Sequence, residues 1–467
     1  MGREYRIERD TLGEVKVPKD AYYGAQTERA KGNFEISDLK LPKEFIRALG
    51  IVKLACAKAN ISLGFLNEKI GKAIIKACEE LIDGKFYDEF VVDVFQSGSG
   101  TSTNMNANEV IANRAIEILG GKRGDKSLVH PNDHVNMSQS TNDVFPSAIH
   151  IASLELIERE LIPSMKLLYD SLRAKSEEFK NVVKAGRTHL QDAVPITLGQ
   201  EFSGYASMIQ HHIIRVNRAK ESLIELPLGG TALGTGLNAP EGFSELAIEE
   251  INRFTKLNFR KAENTFESMQ GKDACVEVSS ALKGLAVSLM KISNDLRLLY
   301  SGPRTGFNEI ILPALQPGSS IMPAKVNPVI PEAVNMASAY IIGNDLTIAI
   351  SAQNGNLELN TMMPIIAYCL IQSIKISANS CRDLANKCIK GIIANEEVCR
   401  RYAERSLALI TTIAPKIGYD KAALIAKKAL EKDKSIIEIL IEEGIIKKGE
   451  EKKWLDLRKL TRGGRIT

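Results

Sequence analysis

Four polar clusters in this sequence contain residue types able to do chemistry. The first, Ser97-Gly98-Ser99-Gly100-Thr101-Ser102-Thr103-Asn104, offers hydroxyls and backbone N–H groups to an anion at a helix start. No Gly-Lys-Ser/Thr follows it, as a phosphate-binding P-loop requires, and no parallel strand precedes it, as a dinucleotide fingerprint requires. The second runs from His130 to Asp143, mostly polar yet without Lys or Arg, and so reads as a lined pocket rather than a solvated face. His130 and His134, four apart, are its one hint of a metal, but their neighbours are amides and hydroxyls, and no metal site is expected. The third, Gly186-Arg187-Thr188-His189-Leu190-Gln191, carries a histidine, the side chain most readily poised near neutral pH. The fourth, Pro317 to Pro328, holds three prolines, Gly318-Ser319-Ser320 and a single charge. That charge, Lys325, stands between Ala324 and Val326 and should be partly desolvated unless it meets an anion. This stretch reads as a lid or substrate loop rather than a linker. Hydroxyls, amides, histidines and one lysine suit the binding of a small dicarboxylate and the stabilisation of negative charge developing on it. A Ser-His-Asp hydrolase is the rival class, but no G-x-S-x-G elbow is present.

The elements that must hold these clusters are helical. Leu154, Ile157, Leu161, Met165, Leu168 and Leu172 step by three and four along one stripe, with a bend expected at Pro163. Leu282, Leu285, Leu289, Ile292, Leu296 and Leu299 do the same, as in a bundle helix. Strand signals are nearly confined to residues 1–40, where Tyr5, Ile7, Val15 and Val17 flank a turn at Leu12-Gly13. Toward the end, Asp420 is expected to cap an Ala-rich helix, and Ser435 with Glu438 to form a capping box for Ile436–Glu443, with Gly444 as the stop. Three segments result: a mixed, mostly helical 1–140, a long-helix bundle 141–395, and a small helical 396–467 with a partly ordered end.

Composition narrows the class further. The 467 residues carry 61 Lys+Arg against 57 Asp+Glu, and a net charge of +4 leaves no phosphate-neutralising excess for a nucleic-acid binder. Seven scattered cysteines without CxxC read as buried thiols in a reducing compartment. The uncharged run Leu359 to Ile374 is too short and too polar for a membrane span, and the charged start shows no signal peptide. A cytoplasmic protein is expected.

At the polar clusters the sequence resembles the fumarase/aspartase superfamily. Gly318-Ser319-Ser320-Ile321-Met322-Pro323-Ala324-Lys325-Val326-Asn327 is similar to the family's mobile loop, and Ser99–Asn108, His130–Asp143 and Gly186–Gln191 resemble its other motifs in the same order. The resemblance runs from Tyr5 to about Glu443. It implies a mainly α, three-domain fold with a central five-helix bundle, assembled as a homotetramer around a twenty-helix core, with active sites shared between subunits. It implies anti elimination from a dicarboxylate through a carbanion, or aci-carboxylate, intermediate. Ser319 matches the base that takes the C3 proton, and Lys325 and Asn327 match groups that hold the substrate carboxylate. Ser99, Thr101, Ser140, Thr141 and Asn142 match the pocket for carboxylate and leaving group. Thr188 and His189 match further contacts, with Glu332 as the carboxylate partner of His189. His130, Asn132 and Asp133 match a second anion site. No cofactor is required by this chemistry, and activation by a divalent cation such as Mg2+ is left open.

Within the family the sequence is more similar to the branch that releases ammonia from L-aspartate, giving fumarate and ammonium, than to the branch that interconverts L-malate and fumarate. Asn308 and Ala324 stand where the malate branch commonly has glycine, and Val329-Ile330-Pro331-Glu332 replaces its Thr-Gln-Cys-Glu. His189 is more typical of the malate branch. A non-catalytic structural protein on the same fold is the remaining alternative; with Ser319, Lys325, Asn327, Thr188 and His189 all present, it is disfavoured.

Overall fold

The structure is a computed structural model that describes residues 4–463; Met1–Arg3 of the charged start and the last four residues of the tail lie outside that range. Strands β1 (Tyr5–Asp10) and β2 (Gly13–Pro18) form the expected antiparallel hairpin, pairing Tyr5 with Pro18 and Asp10 with Gly13. Helices follow: α1 (Ala25–Asn33), α2 (Lys43–Ser62), α3 (Glu68–Ile82), α4 (Thr101–Ile118), α5 (Thr141–Leu156) and α6 (Ile162–Glu178). A second hairpin, β3 (Val183–Thr188) and β4 (Gln191–Thr197), precedes α7 (Leu198–Ala219), α8 (Phe243–Thr255) and α9 (Thr265–Gln270). The long helices α10 (Asp273–Tyr300), α11 (Val329–Gln353) and α12 (Met363–Asp383) come next. The chain closes on α13 (Glu396–Arg405), α14 (Ile410–Ile417), α15 (Tyr419–Glu431), α16 (Ile436–Glu442) and two single turns. The fold is mainly α and multi-domain, with long bundle helices, and among the described residues no helix is long and apolar enough to cross a membrane.

Both apolar stripes are buried along their whole length. The first is not one uniform helix: a π turn at Ile157–Leu161 joins α5 to α6. Pro163 has no N–H for the carbonyl four residues back, and that carbonyl, on Arg159, falls inside the turn. The capping box forms as expected, with Ser435 N donating to Glu438 Oε2 at 2.8 Å and Glu438 N to Ser435 Oγ at 3.3 Å. Asp420 is not a cap. Helix α15 starts at Tyr419 from Gly418, at φ +87°, and Asp420 sits in the first turn, facing the positive end of the helix dipole. All seven cysteines are buried free thiols.

The chain divides into two compact units. One takes residues up to Pro163, Ile214–Ala286 and Ala339–Ala378; the other takes Ser164–Ile213, Val287–Ser338 and Asn379 onward. The boundary between the units falls inside the α5–α6 run and inside α7, α10, α11 and α12. In the first unit α2 packs against α3, α5 and α8, which fixes the N-terminal end of α5 where Thr141 and Asn142 lie. In the second, the C-terminal helices close their own core around Leu409, Ile413, Ile425, Ile436, Ile439 and Leu440.

Helix α5 also buries His150, whose Nδ1 lies 2.8 Å from the Glu225 carbonyl. Burial, with the Lys272 ammonium nearby, holds this imidazole down to about 4. A histidine with its folded pKa below the unfolded value of about 6.5 leaves the unfolded chain binding more protons, so stability falls as pH drops from about 6.5 to about 4. At the acid end of that window the loss from this one group is about 3 kcal/mol. Urea midpoints measured at pH 7 and pH 4.5 should therefore differ less in His150→Gln than in the parent. Equal acid sensitivity of the two proteins would remove His150 as the cause.

Candidate active site

The residues singled out in the sequence fall into two groups, one in each unit. In the first unit, Gly100, at φ +84°, ends the Ser97–Gly100 loop and starts α4. A Cβ there would lie 2.2 Å from the Phe145 ring, so only glycine brings this loop so close to α5. Ser99 Oγ and Thr101 Oγ1 share a hydrogen bond of 2.7 Å at the helix start. Ser140 caps α5 in a capping box with Asp143. Thr141 Oγ1 accepts from Asn104 Nδ2 at 2.9 Å, and Asn142 Nδ2 donates to the Ala232 carbonyl at 2.8 Å. Thr101, Ser140, Thr141 and Asn142 thus belong to two helix N-termini, where N–H groups and the dipole favour an anion.

Asp143 binds this cluster together. Its carboxylate accepts from Ser140 N at 2.9 Å, Gly229 N at 2.9 Å and Thr231 N at 3.0 Å. It is fully buried, and burial raises its pKa to about 6 against the pull of those N–H groups and of Lys53. Lys53 on α2 is also fully buried, with Nζ donating to Asn136 Oδ1 at 2.8 Å and to Gln139 Oε1 at 2.9 Å. Lys53 is not among the residues that the sequence singles out, because it falls inside an apolar helical run, Ile51-Val52-Lys53-Leu54-Ala55. A lone lysine within an apolar helical run was the available signal.

His130 sits before a π turn at Pro131–Val135, and its Nδ1 accepts from Asn132 N at 3.2 Å and Asp133 N at 3.1 Å. That leaves Nε2 to carry the ring proton. Asn132 and Asp133 are exposed. His134 Nδ1 accepts from His130 N at 2.9 Å, so the pair serves the turn, and among the described residues no group of three His, Cys, Asp or Glu is placed to hold a metal.

In the second unit, Thr188 and His189 stand at the tip of the β3–β4 hairpin, an element that the sequence pattern does not mark. His189 and Leu190 form its two-residue turn at φ +54° and +59°. Such turns are normally signalled by Asn-Gly or Asp-Gly, and His-Leu gives no such signal. A bulge between Ala185 and Arg187 further breaks the alternation that marks a strand. The hairpin is anchored from inside by charge. Arg187 Nη1 donates to both Glu309 oxygens at 3.0 Å, and its guanidinium lies 4.2 Å from the Phe307 ring centroid. Lys184 Nζ reaches Glu309 at 3.0 Å and Glu201 at 2.8 Å, with the Lys184 and Glu309 side chains 2% and 0% exposed.

The serine loop closes on itself. Asn327 Nδ2 donates to the Gly318 carbonyl at 2.6 Å, and a Cβ on Gly318 would fall 2.1 Å from the Lys325 carbonyl oxygen. Tyr300 OH holds the Val326 carbonyl at 3.2 Å. Ser319 Oγ accepts from Met322 N at 3.0 Å and Ile321 N at 3.3 Å. Lys325 is exposed in the single chain, against the expected partial desolvation, because its neighbours Ala324 and Pro323 are exposed as well. Glu332 lies in the first turn of α11, and within the chain it makes no hydrogen bond or ion pair with His189.

A Lyase family model matches residues 13–343, and a Fumarase C C-terminus model matches residues 409–462. The chain belongs to the fumarase/aspartase superfamily. It is an enzyme of the lyase class, and elimination with its reverse addition is the reaction type of this superfamily. An aspartate ammonia-lyase of Bacillus sp is 49% identical, over 96% of this chain and 95% of the relative. The mitochondrial fumarate hydratase of Danio rerio is 48% identical, over 97% and 89%. The crystal structure of the fumarate lyase:delta crystallin of Brucella melitensis superposes with a TM-score of 0.94 at 46% identity, covering 98% of this chain and all of that one.

Within this superfamily frame the Glu309 carboxylate is the buried counter-ion that lets the Thr188–His189 hairpin carry two cations at its base. Removing one partner of such a buried network leaves the others uncompensated, at a cost of about 3–5 kcal/mol. Glu309→Gln should lower the urea midpoint accordingly. A midpoint equal to that of the parent would show that Glu201 and solvent suffice for Lys184 and Arg187.

Proposed function

We propose that the protein catalyses the reversible anti elimination of ammonia from L-aspartate to give fumarate, with Ser319 as the base. One observation carries this reading: Ser319 Oγ already accepts two backbone N–H groups, from Ile321 and Met322. A serine hydroxyl is a poor base, and those dipoles lower the cost of its alkoxide. The alkoxide takes the C3 proton, and the electron pair left on carbon spreads into the adjacent carboxylate, which gains a second negative charge. Lys325 and Asn327 hold that carboxylate, and loop closure that excludes water strengthens both contacts. Collapse of the intermediate forms the C2–C3 double bond as the C2–N bond breaks and ammonia departs. Ser99, Thr101, Ser140, Thr141 and Asn142 receive the other carboxylate and the amino group, Thr188 and His189 complete the contacts, and Glu332 of a neighbouring subunit orients His189. His130, Asn132 and Asp133 form a weak second anion site.

The choice of aspartate over malate rests on Asn308, Ala324 and Val329-Ile330-Pro331. The two substrates share both carboxylates and differ only at C2, where an ammonium brings three donors and a charge. With purified protein near pH 8 in Mg2+ buffer, kcat/KM for L-aspartate should exceed that for L-malate by about 10²-fold or more, a ratio within reach of polar matching at a buried group. Repeating the assay in EDTA reads any divalent-cation activation separately. Rapid fumarate hydration without ammonium, and no deamination, would establish a fumarate hydratase instead.

The proposed assembly is a cytoplasmic homotetramer with shared sites. Helix α11 supports it: Met336, Tyr340, Leu346 and Ile350 form an exposed apolar stripe on a helix that is apolar on its other faces too. Thr188→Ala and Ser319→Ala chains, each reduced about 10²-fold or more in turnover, should regain activity when refolded together, since some sites escape both lesions. Hybrid tetramers that stay inactive would mean that each chain completes its own site.

A further inference from the structure

The buried ammonium of Lys53 stands outside the elimination chemistry, yet it touches the segment that leads into the pocket at both ends. Its two acceptors, Asn136 Oδ1 and Gln139 Oε1, flank the turn before Ser140. Within that turn Ser138 takes φ +63°, and its hydroxyl donates to Asn60 Oδ1 at 2.8 Å. Asn136 Oδ1 also accepts from Asn104 Nδ2 and Asn108 Nδ2, both at 3.2 Å. The second proton of the Asn104 amide goes to Thr141 Oγ1 at 2.9 Å, while Asn104 Oδ1 has no partner.

These bonds have a direction. An ammonium has only protons to offer, so it obliges Asn136 to turn its carbonyl oxygen inward. Asn104 must then present its amino group, and Thr141 Oγ1 becomes an acceptor from the protein, which leaves the hydroxyl proton of Thr141 to be donated elsewhere. Without its charge Lys53 keeps two N–H groups but gains a lone pair, so Asn136 is no longer obliged to face it with oxygen; it can then reverse by giving up its Nδ2 bond to the Gln139 carbonyl, and Thr141 can spend its proton on Asn104 Oδ1 instead. We propose that Lys53 is a positioning residue that, through Asn136 and Asn104, fixes the Thr141 hydroxyl as a donor to a bound carboxylate. The groups facing Lys53 are Cys56 on its own helix, Cys78 on α3 and Asp143 on α5. Burial lowers the Lys53 pKa to about 8 and raises those of both thiols, so in the weakly alkaline range the lysine is the member of this cluster that changes charge.

The inference rests on the reading of Thr141 as a dicarboxylate contact. Succinate, a dicarboxylate that cannot eliminate and does not titrate in this range, is the probe, and its inhibition constant is measured from pH 6.5 to 9.5. In the parent the constant should rise above about pH 8 as the ammonium is lost, toward the limit set by Lys53→Met. Lys53→Met should bind succinate at least tenfold more weakly at pH 7, with little further change to pH 9.5. Gln139→Glu, which sets a carboxylate beside the ammonium, should move the alkaline limb to higher pH and does not depend on Lys53→Met folding. A parent profile that is flat to pH 9.5, a folded Lys53→Met with parental affinity, or a Gln139→Glu limb that stays in place would each overturn the proposal. Thr141→Val separates the two readings. If it leaves succinate affinity unchanged, the pocket assignment fails; if it weakens binding while Lys53→Met does not, only the role of Lys53 falls.

Discussion

A fully buried ammonium is the constraint around which the first unit is arranged. Taking a lysine out of water costs several kcal/mol unless its protons find acceptors, and the acceptors near Lys53 are neutral amides rather than a carboxylate. Amides that face a cation lose their freedom to flip, and they pass that order to whatever they bond next. Asn104 and Asn108 of α4 and the 136–143 segment therefore form one network, with the Thr141 hydroxyl at its edge. Asp143 completes the arrangement from the other side. Its buried carboxylate gathers backbone donors from Ser140, Gly229 and Thr231, so the loop after residue 228 is tied to the start of α5.

The second unit meets the same difficulty with the opposite sign. Glu309 is the buried ion there, and Lys184 and Arg187 neutralise it from one hairpin. Glu309 also belongs to the segment that leads toward the serine loop, since its N–H bonds the Leu299 carbonyl at the end of α10. One carboxylate thus fixes the base of the hairpin carrying Thr188 and His189 and the entrance to the segment carrying Ser319. The serine loop itself is held differently, by bonds within it, and its central residues Ile321 to Lys325 are exposed. Rigid anchorage at both ends with an exposed middle suits a segment that closes over a ligand.

Helix positions were legible in the sequence because the stripes are long and each of their residues is buried; spacing by three and four has no other simple cause over such lengths. The second polar cluster stands out for a complementary reason, that a polar run without Lys or Arg is unusual on a solvated surface. Three features escaped. The β3–β4 hairpin has a His-Leu turn and a bulge, so neither its turn nor its alternation is marked. Lys53 lies in an apolar helix, and the sequence does not say on which face. The exposure of Lys325 depends on what packs over the loop, which no local pattern contains.

Backbone conformation bears on the choice of substrate in a way that the pocket side chains do not. Asn308 and Ala324, two of the positions on which the aspartate reading rests, take φ +49° and +76°. Both lie in the left-handed region, where glycine rests freely and a Cβ costs about 1–2 kcal/mol. Asparagine tolerates that region better than most residues, so glycine and Asn308 are close to interchangeable in local geometry. Alanine is not so tolerant. At Ala324 the strain is stored beside Lys325, on the exposed part of the serine loop, and it is relieved if the loop moves to a conformation with negative φ. The Cβ of Ala324 therefore bears on the backbone of the loop itself. On the proposed reading the C2 substituent meets amides and hydroxyls instead, residue types found in both branches of the superfamily. Discrimination between an ammonium and a hydroxyl must then come from how those groups are oriented, which returns the question to the amide network behind Thr141 and Asn142.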